Sequence, residues 1–197
     1  MFTRRYALLS VLIVVGLAMM ACISSTPNPS TSSSTSTVSA GASTDTPAAS
    51  GSATTPNWGK QTKTSGCVAV DGRPDPACTP GDILNVTKSA ICKSGYSTSV
   101  RNVPDSEKNQ VYDEYGITSH RPGQYEVDHF VSLELGGSND ISNLWPQPAS
   151  PKPGFHEKDK VENYLHDQVC SGAMTLQEAQ IKIATNWLDV YNSMPGK

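Results

Sequence analysis

Four positions in this chain carry side chains suited to chemistry. They are an adjacent carboxylate and imidazole at Asp128-His129, an asparagine at Asn143, 14 residues after that histidine, and an imidazole at His156, 13 residues further on. Carboxylate oxygen and imidazole nitrogen together make a ligand set for a divalent cation, and a neutral imidazole can take up a proton near neutral pH. Lys158 and Lys160 follow His156, and Arg101 lies upstream. The two lysines alternate with Glu157, Asp159 and Glu162, the pattern of a solvated helix face with local ion pairs. His120 and His166 have no constellation around them and read as surface residues. Trp145 and Trp187 read as core aromatics, with Trp145 beside Pro146 also placed to border a cleft.

Elements must position these groups. Pro104 and Asp105 can start a helix whose Val111, Tyr112 and Tyr115 share a face and whose end is marked by Gly116. Tyr125 to Leu135 is rich in strand formers, Gly136-Gly137 breaks it, and Ile141 to Trp145 resumes extended character until Pro146. From Phe155 the spacing of Val161, Leu165 and Val169 predicts a helix ended by Gly172. Thr175-Leu-Gln-Glu178 is a capping box opening a last helix with Leu176, Ile183, Trp187 and Tyr191 on one stripe. The fold class is therefore α+β, with helices weighted to the C-terminal end. Neighbouring strand residues point to opposite faces, so Asp128 and His129 can share one cleft only if the strand twists or bulges there.

The run Glu126-Val-Asp-His-Phe-Val-Ser-Leu-Glu-Leu-Gly-Gly-Ser-Asn139, continued by Asn143-Leu-Trp-Pro-Gln147 and His156-Glu-Lys-Asp-Lys160, resembles the HNH endonuclease family. Asp128 and His129 match its Asp-His pair, Gly136-Gly137 its turn, Asn143 its central asparagine and His156 its helix histidine. The resemblance implies a ββα-metal core, here with additional helices and stapled by disulfides, and one divalent ion, with Mg²⁺, Mn²⁺ and Zn²⁺ not distinguished. It implies a nucleic-acid substrate whose phosphodiester bonds are hydrolysed, DNA or RNA. In that scheme Asp128 and His156 ligate the metal, His129 stays unligated as general base, and Asn143 holds the loop and orients His129. Arg101, Lys158 and Lys160 are candidate phosphate contacts. A non-catalytic binding module on the same scaffold, and a hydrolase of another substrate, remain open alternatives. No protein partner is evident.

Cys67, Cys78, Cys92 and Cys170 make an even set. Cys67 and Cys78 bracket the turn-rich Asp71-Gly72-Arg73-Pro74-Asp75-Pro76, so we expect Cys67–Cys78 and Cys92–Cys170 disulfides, the second tying the start of the domain to its late helices. In the chain-entropy account that long closure contributes on the order of 4 kcal/mol. The absence of any Cys-x-x-Cys pair argues against a zinc knuckle.

The remaining cysteine, Cys22, ends an N-terminal segment in which Arg4 and Arg5 precede an apolar run from Ala7 to Ala21, the form of an export signal. Met19-Met20-Ala21-Cys22 resembles the bacterial lipobox, which implies lipidation at Cys22 and a membrane partner reached through that lipid. An ordinary signal peptide with secretion, or an uncleaved anchor, are the alternatives. Residues 23–58 read as a disordered linker, because 19 of the 34 positions from Ile23 to Pro56 are Ser or Thr and Asp45 is their only charge. The expected organisation is thus signal 1–22, linker 23–58 and folded domain 59–197. The whole chain, 197 residues with 37% hydrophobic content, is too short for a large multidomain enzyme. Its formal charge is −3, and without Arg4, Arg5 and Asp45 the rest carries −4. That balance excludes a globally basic nucleic-acid surface and leaves room only for a local one.

Overall fold

A computed structural model describes residues 55–197 of the chain. The signal segment 1–22 with Cys22, and the linker up to residue 54, lie outside the described residues. Trp58 packs against the core, so folded structure reaches back past the expected boundary at 59.

The fold is α+β, stapled by two disulfides. Three short helices come first: α1 (Lys88–Ile91), capped by the Thr87 hydroxyl, α2 (Tyr96–Val100) and α3 (Asp105–Glu114). As expected, α3 starts directly after Pro104, and the chain turns out of it at Gly116, whose φ is 67°. Strand β1 (Tyr125–His129) then pairs antiparallel with β2 (Leu144–Pro148) as a two-stranded sheet. Two long helices, α4 (Phe155–Ser171) and α5 (Leu176–Ser193), complete the chain.

Between the strands the sequence expectation is corrected. Residues Leu133–Leu135 and Ile141–Asn143 are 3-10 turns, not strand, and β2 runs through Pro146. In a two-stranded sheet each strand is an edge, so a proline without an N–H is tolerated opposite Val127. The pairing is regular from Tyr125↔Pro148 to His129↔Leu144, so no bulge re-aims Asp128 or His129.

The core forms where α4 and α5 pack on each other and on the 3-10 turn. Val161, Leu165 and Val169 from α4 meet Ile183 and Trp187 from α5 and Val131 and Leu135 from the loop, all completely buried. Each such side chain contributes about 1.5–3 kcal/mol through removal from water. The expected caps hold both helices. Gly172 ends α4 at φ 87°, and Thr175 and Glu178 form the reciprocal capping box of α5. Helix α5 is kinked at Asn186, whose φ of −160° and ψ of 72° are not helical.

The disulfides are those expected. Cys67–Cys78 has a Cα separation of 6.1 Å and Cys92–Cys170 one of 5.7 Å. Such bridges are the mark of an oxidising, extracellular environment. No helix among the described residues is long and apolar enough to cross a membrane.

Candidate active site

Asp128 and His129 sit at the end of β1, facing different partners. The Asp128 carboxylate accepts from the His129 backbone N–H at 2.8 Å and from Lys158 Nζ at 2.7 Å. Lys158 also donates to the His129 carbonyl at 2.7 Å and pairs with Glu162, while Glu162 accepts from the Ser132 hydroxyl at 2.8 Å. The lysine is therefore completely buried in a cage of two carboxylates and a carbonyl, which corrects both its reading as part of a solvated helix face and its candidacy as a phosphate contact. Burial alone would strip its proton; the Asp128 and Glu162 carboxylates outweigh that and hold the ammonium above the usual lysine range. Two carboxylates share one cation, and burial together with Asp128 pushes the Glu162 carboxyl upward against the pull of Lys158.

The imidazole of His129 is buried, at 2% exposure, and its Nε2 lies 3.1 Å from Asn139 Oδ1. The Asn139 amide is pinned at both ends. Its Nδ2 donates to the Val100 carbonyl at 2.8 Å, and its Oδ1 also accepts from the Asn102 N–H at 3.1 Å. With an acceptor fixed against Nε2, the hydrogen-bond network assigns the neutral ring its proton at Nε2 and leaves the lone pair on Nδ1. Burial lowers the His129 pKa to about 4, against the opposing pull of Asp128, so the ring is neutral at pH 7.

Asn143 does half of what the sequence suggests. It holds the loop: its Oδ1 accepts from the N–H groups of Asp82 and Val131, and its Nδ2 donates to the carbonyls of Val131 and Ser138. All four bonds go to backbone, so orienting His129 falls to Asn139 instead. The loop can close this tightly because residue 137 is glycine, where a Cβ would stand 1.8 Å from the Val131 carbonyl oxygen.

Around this buried pair lies a charged rim. Glu126, Asp159 and Arg101 are exposed there, and His156, exposed with its ring against Phe155 at 4.2 Å between centroids, acts on Asp159; Lys160 is exposed on α4, and no contact among the described residues brings it to this rim. Partial desolvation, then the charges of Asp128 and Asp159, raise the Glu126 carboxyl; desolvation and Asp128 do the same to Asp159. Arg101, at the end of α2, opposes both shifts and also disfavours the charged form of His129, so the fold does bring it to the site. Asp128 and His156 are not part of any group of three ligand atoms within 4.8 Å among the described residues. The one such group is Cys92, His166 and Cys170, where His166 Nε2 lies 3.4 Å from Cys170 Sγ. These atoms are spaced to hold a metal ion, but the two sulfurs are joined as a disulfide and offer no thiolate. His166, part-buried against the Ile91 carbonyl at 3.1 Å, is therefore not the isolated surface residue it seemed.

No family model matches the chain, and neither a curated protein nor a solved structure is similar to it.

The residues missed from the sequence have recoverable signals. Lys158 falls on the Val161, Leu165, Val169 stripe, three residues before its first member, which marks it as inward-facing despite its charge. Glu162 is its i+4 partner. Asn139 stands in the same loop as the Gly136-Gly137 pair but has no spacing signature of its own.

Proposed function

We propose that this chain is a metal-dependent nuclease of the HNH type, acting on nucleic acid outside the cytoplasm and held at a membrane by lipid on Cys22. The observation that carries the reading is His129: a neutral imidazole, fixed by Asn139 with its basic Nδ1 unengaged by any hydrogen bond among the described residues, at the edge of a carboxylate-rich rim. A general base for water activation requires that combination of protonation state and fixed orientation.

The donor set fits a hard divalent cation. Carboxylates that disfavour one another's ionisation make a place where a cation is welcome, and Asp128 still has lone pairs beyond the two bonds it accepts. Asp128 and His156 would hold the ion, with Glu126 or Asp159 beside them. Because three donors do not converge within 4.8 Å here, the shell must be completed by water and substrate phosphate, which suits Mg²⁺ better than a closed zinc site. When bound, such an ion neutralises charge on the phosphate and the leaving oxygen. With no bulge, Asp128 and His129 leave β1 on opposite faces, and the imidazole is tied to the acidic rim by Arg101, whose charge acts on His129, Glu126 and Asp159 alike. There His129 Nδ1 would accept the proton of the attacking water, Asn139 keeps Nε2–H turned away, and Arg101 would hold the phosphate.

A second reading rests on Lys158. An ammonium already neutralises Asp128, so the hairpin and helix are complete without a metal, as a non-catalytic binding module would be. Cleavage assays of the full-length protein on single- and double-stranded DNA and RNA with Mg²⁺, Mn²⁺ or Zn²⁺ separate the two. The nuclease reading expects chelator-sensitive cleavage that His129→Ala reduces about 100-fold or more, with folding retained. Cleavage by His129→Ala at the parent rate removes the base, and no cleavage with any ion leaves the binding module.

A further inference from the structure

Beside the candidate active site, the β2–α4 connection closes over a cleft of about 340 Å³. Its floor is Trp145 and Gln147, and its walls include Pro148, Pro151, Pro153 and Leu188. Three polar side-chain atoms of the floor, Trp145 Nε1 and both Nε2 and Oε1 of Gln147, are buried without a hydrogen-bond partner among the described residues. Trp145 is 0% exposed and Gln147 1%. Native proteins hold few such orphans, because each lowers stability. Three on adjacent same-face positions of one strand, under one apolar cleft, form a built site with no internal purpose for its polar atoms.

We infer that this cleft is a nucleobase subsite selective for the hydrogen-bonding edge of a pyrimidine over that of guanine. The floor offers two donors, Trp145 N–H and the Gln147 amide N–H, and one acceptor, Gln147 Oε1. Its complement is a flat edge carrying two acceptors and one donor. Uracil and thymine present that set as O2, N3–H and O4, and cytosine presents it as O2, N3 and N4–H, whereas guanine presents one acceptor and two donors. The proline walls supply apolar contact for the ring faces, and the volume accepts a single base. At the rim Lys152 is exposed but paired with Glu157 at 3.2 Å, and Asp71 stands opposite in sign, so recognition falls to the base rather than to a phosphate.

Position links the cleft to the proposed chemistry. In the hairpin register Trp145 lies directly opposite Asp128, and Gln147 opposite Glu126, and such pairs share a face of the sheet. A base seated here would set a nucleotide next to the acidic rim, so the inference deepens the nuclease reading and rests on it for its purpose. The polar floor atoms are covered in the free protein, so the cleft must open further for a base to reach them.

The test is a titration of the full-length protein with uridine 5′-monophosphate and guanosine 5′-monophosphate, read by NMR at the Trp145 indole N–H and the Gln147 carboxamide. Both signals are expected to move with the uridine nucleotide and much less with the guanosine nucleotide. Gln147→Leu should weaken uridine binding about 10-fold while raising Tm by about 3 °C or more, because two orphaned polar atoms are removed. Leu188→Trp, which fills the cleft from α5 without touching the floor, should weaken binding as well. Equal response to both nucleotides, no response at these signals, or a Gln147→Leu variant that binds uridine as the parent does would overturn the subsite. Selective binding without cleavage of any oligonucleotide would keep the subsite and remove the nuclease; cleavage without selective binding would do the reverse.

Discussion

A buried ammonium from α4 and a buried neutral imidazole from β1 meet at one strand end, and their environments set opposite protonation states. Lys158 stays charged because Asp128 and Glu162 compensate its burial; His129 loses its charge because burial outweighs Asp128. The histidine has a consequence for stability. In the unfolded chain its pKa is the ordinary 6.5, in the fold about 4. Above 6.5 both states are neutral. Below it the unfolded chain takes up a proton that the native ring refuses, so stability falls as pH drops from 6.5 to 4, by on the order of 3 kcal/mol. Urea midpoints measured across that window should fall more steeply for the parent than for His129→Gln. Parallel curves would show that the ring titrates normally and is not kept neutral by burial.

At the scale of elements, the loop between the strands is built by Asn143 and Gly137 together: an amide that satisfies four backbone groups, and a residue with no side chain where the chain passes the Val131 carbonyl. Gly137→Ala should therefore cost about 3–5 kcal/mol, since the obstructing atom is backbone and cannot turn away. Gly123→Ala, at φ 74° but with nothing within 4 Å of its Cβ, should cost only about 1–2 kcal/mol. Denaturant unfolding of the two variants decides, and equal losses would mean that the loop relaxes freely. This loop was legible in part. The Gly136-Gly137 pair and Asn143 stand out because a tight turn demands such residues, and the two long helices announce themselves by periodicity and caps. The 3-10 turns, the passage of β2 through Pro146 and the short α1 and α2 did not stand out, because their stability comes from tertiary contacts and not from local pattern. Lys158 was misplaced because alternating charge suggests solvent wherever a helix lies, while the face a residue occupies is set by the apolar stripe it joins.

Residues 55–197 are held by a core shared between α4, α5 and the hairpin loop, and by two covalent closures of very different span. Cys67–Cys78 closes 11 residues of separation and Cys92–Cys170 closes 78. The chain-entropy account assigns them about 2.8 and about 4.5 kcal/mol. Replacing Cys92 and Cys170 by alanine should thus lower the unfolding free energy more than replacing Cys67 and Cys78, as chemical denaturation would show; the reverse order would place the smaller bridge's value in its buried packing. The larger closure has a topological side as well. Asp128, His129, Asn139, Asn143, His156 and Lys158, with Arg101 and Lys160, all lie between its two cysteines. The candidate site is thus contained in one covalent ring, so a single peptide-bond cut anywhere within that ring yields two pieces that remain joined. Outside a cell, where proteases are common, a nicked copy keeps every one of these residues on the same molecule.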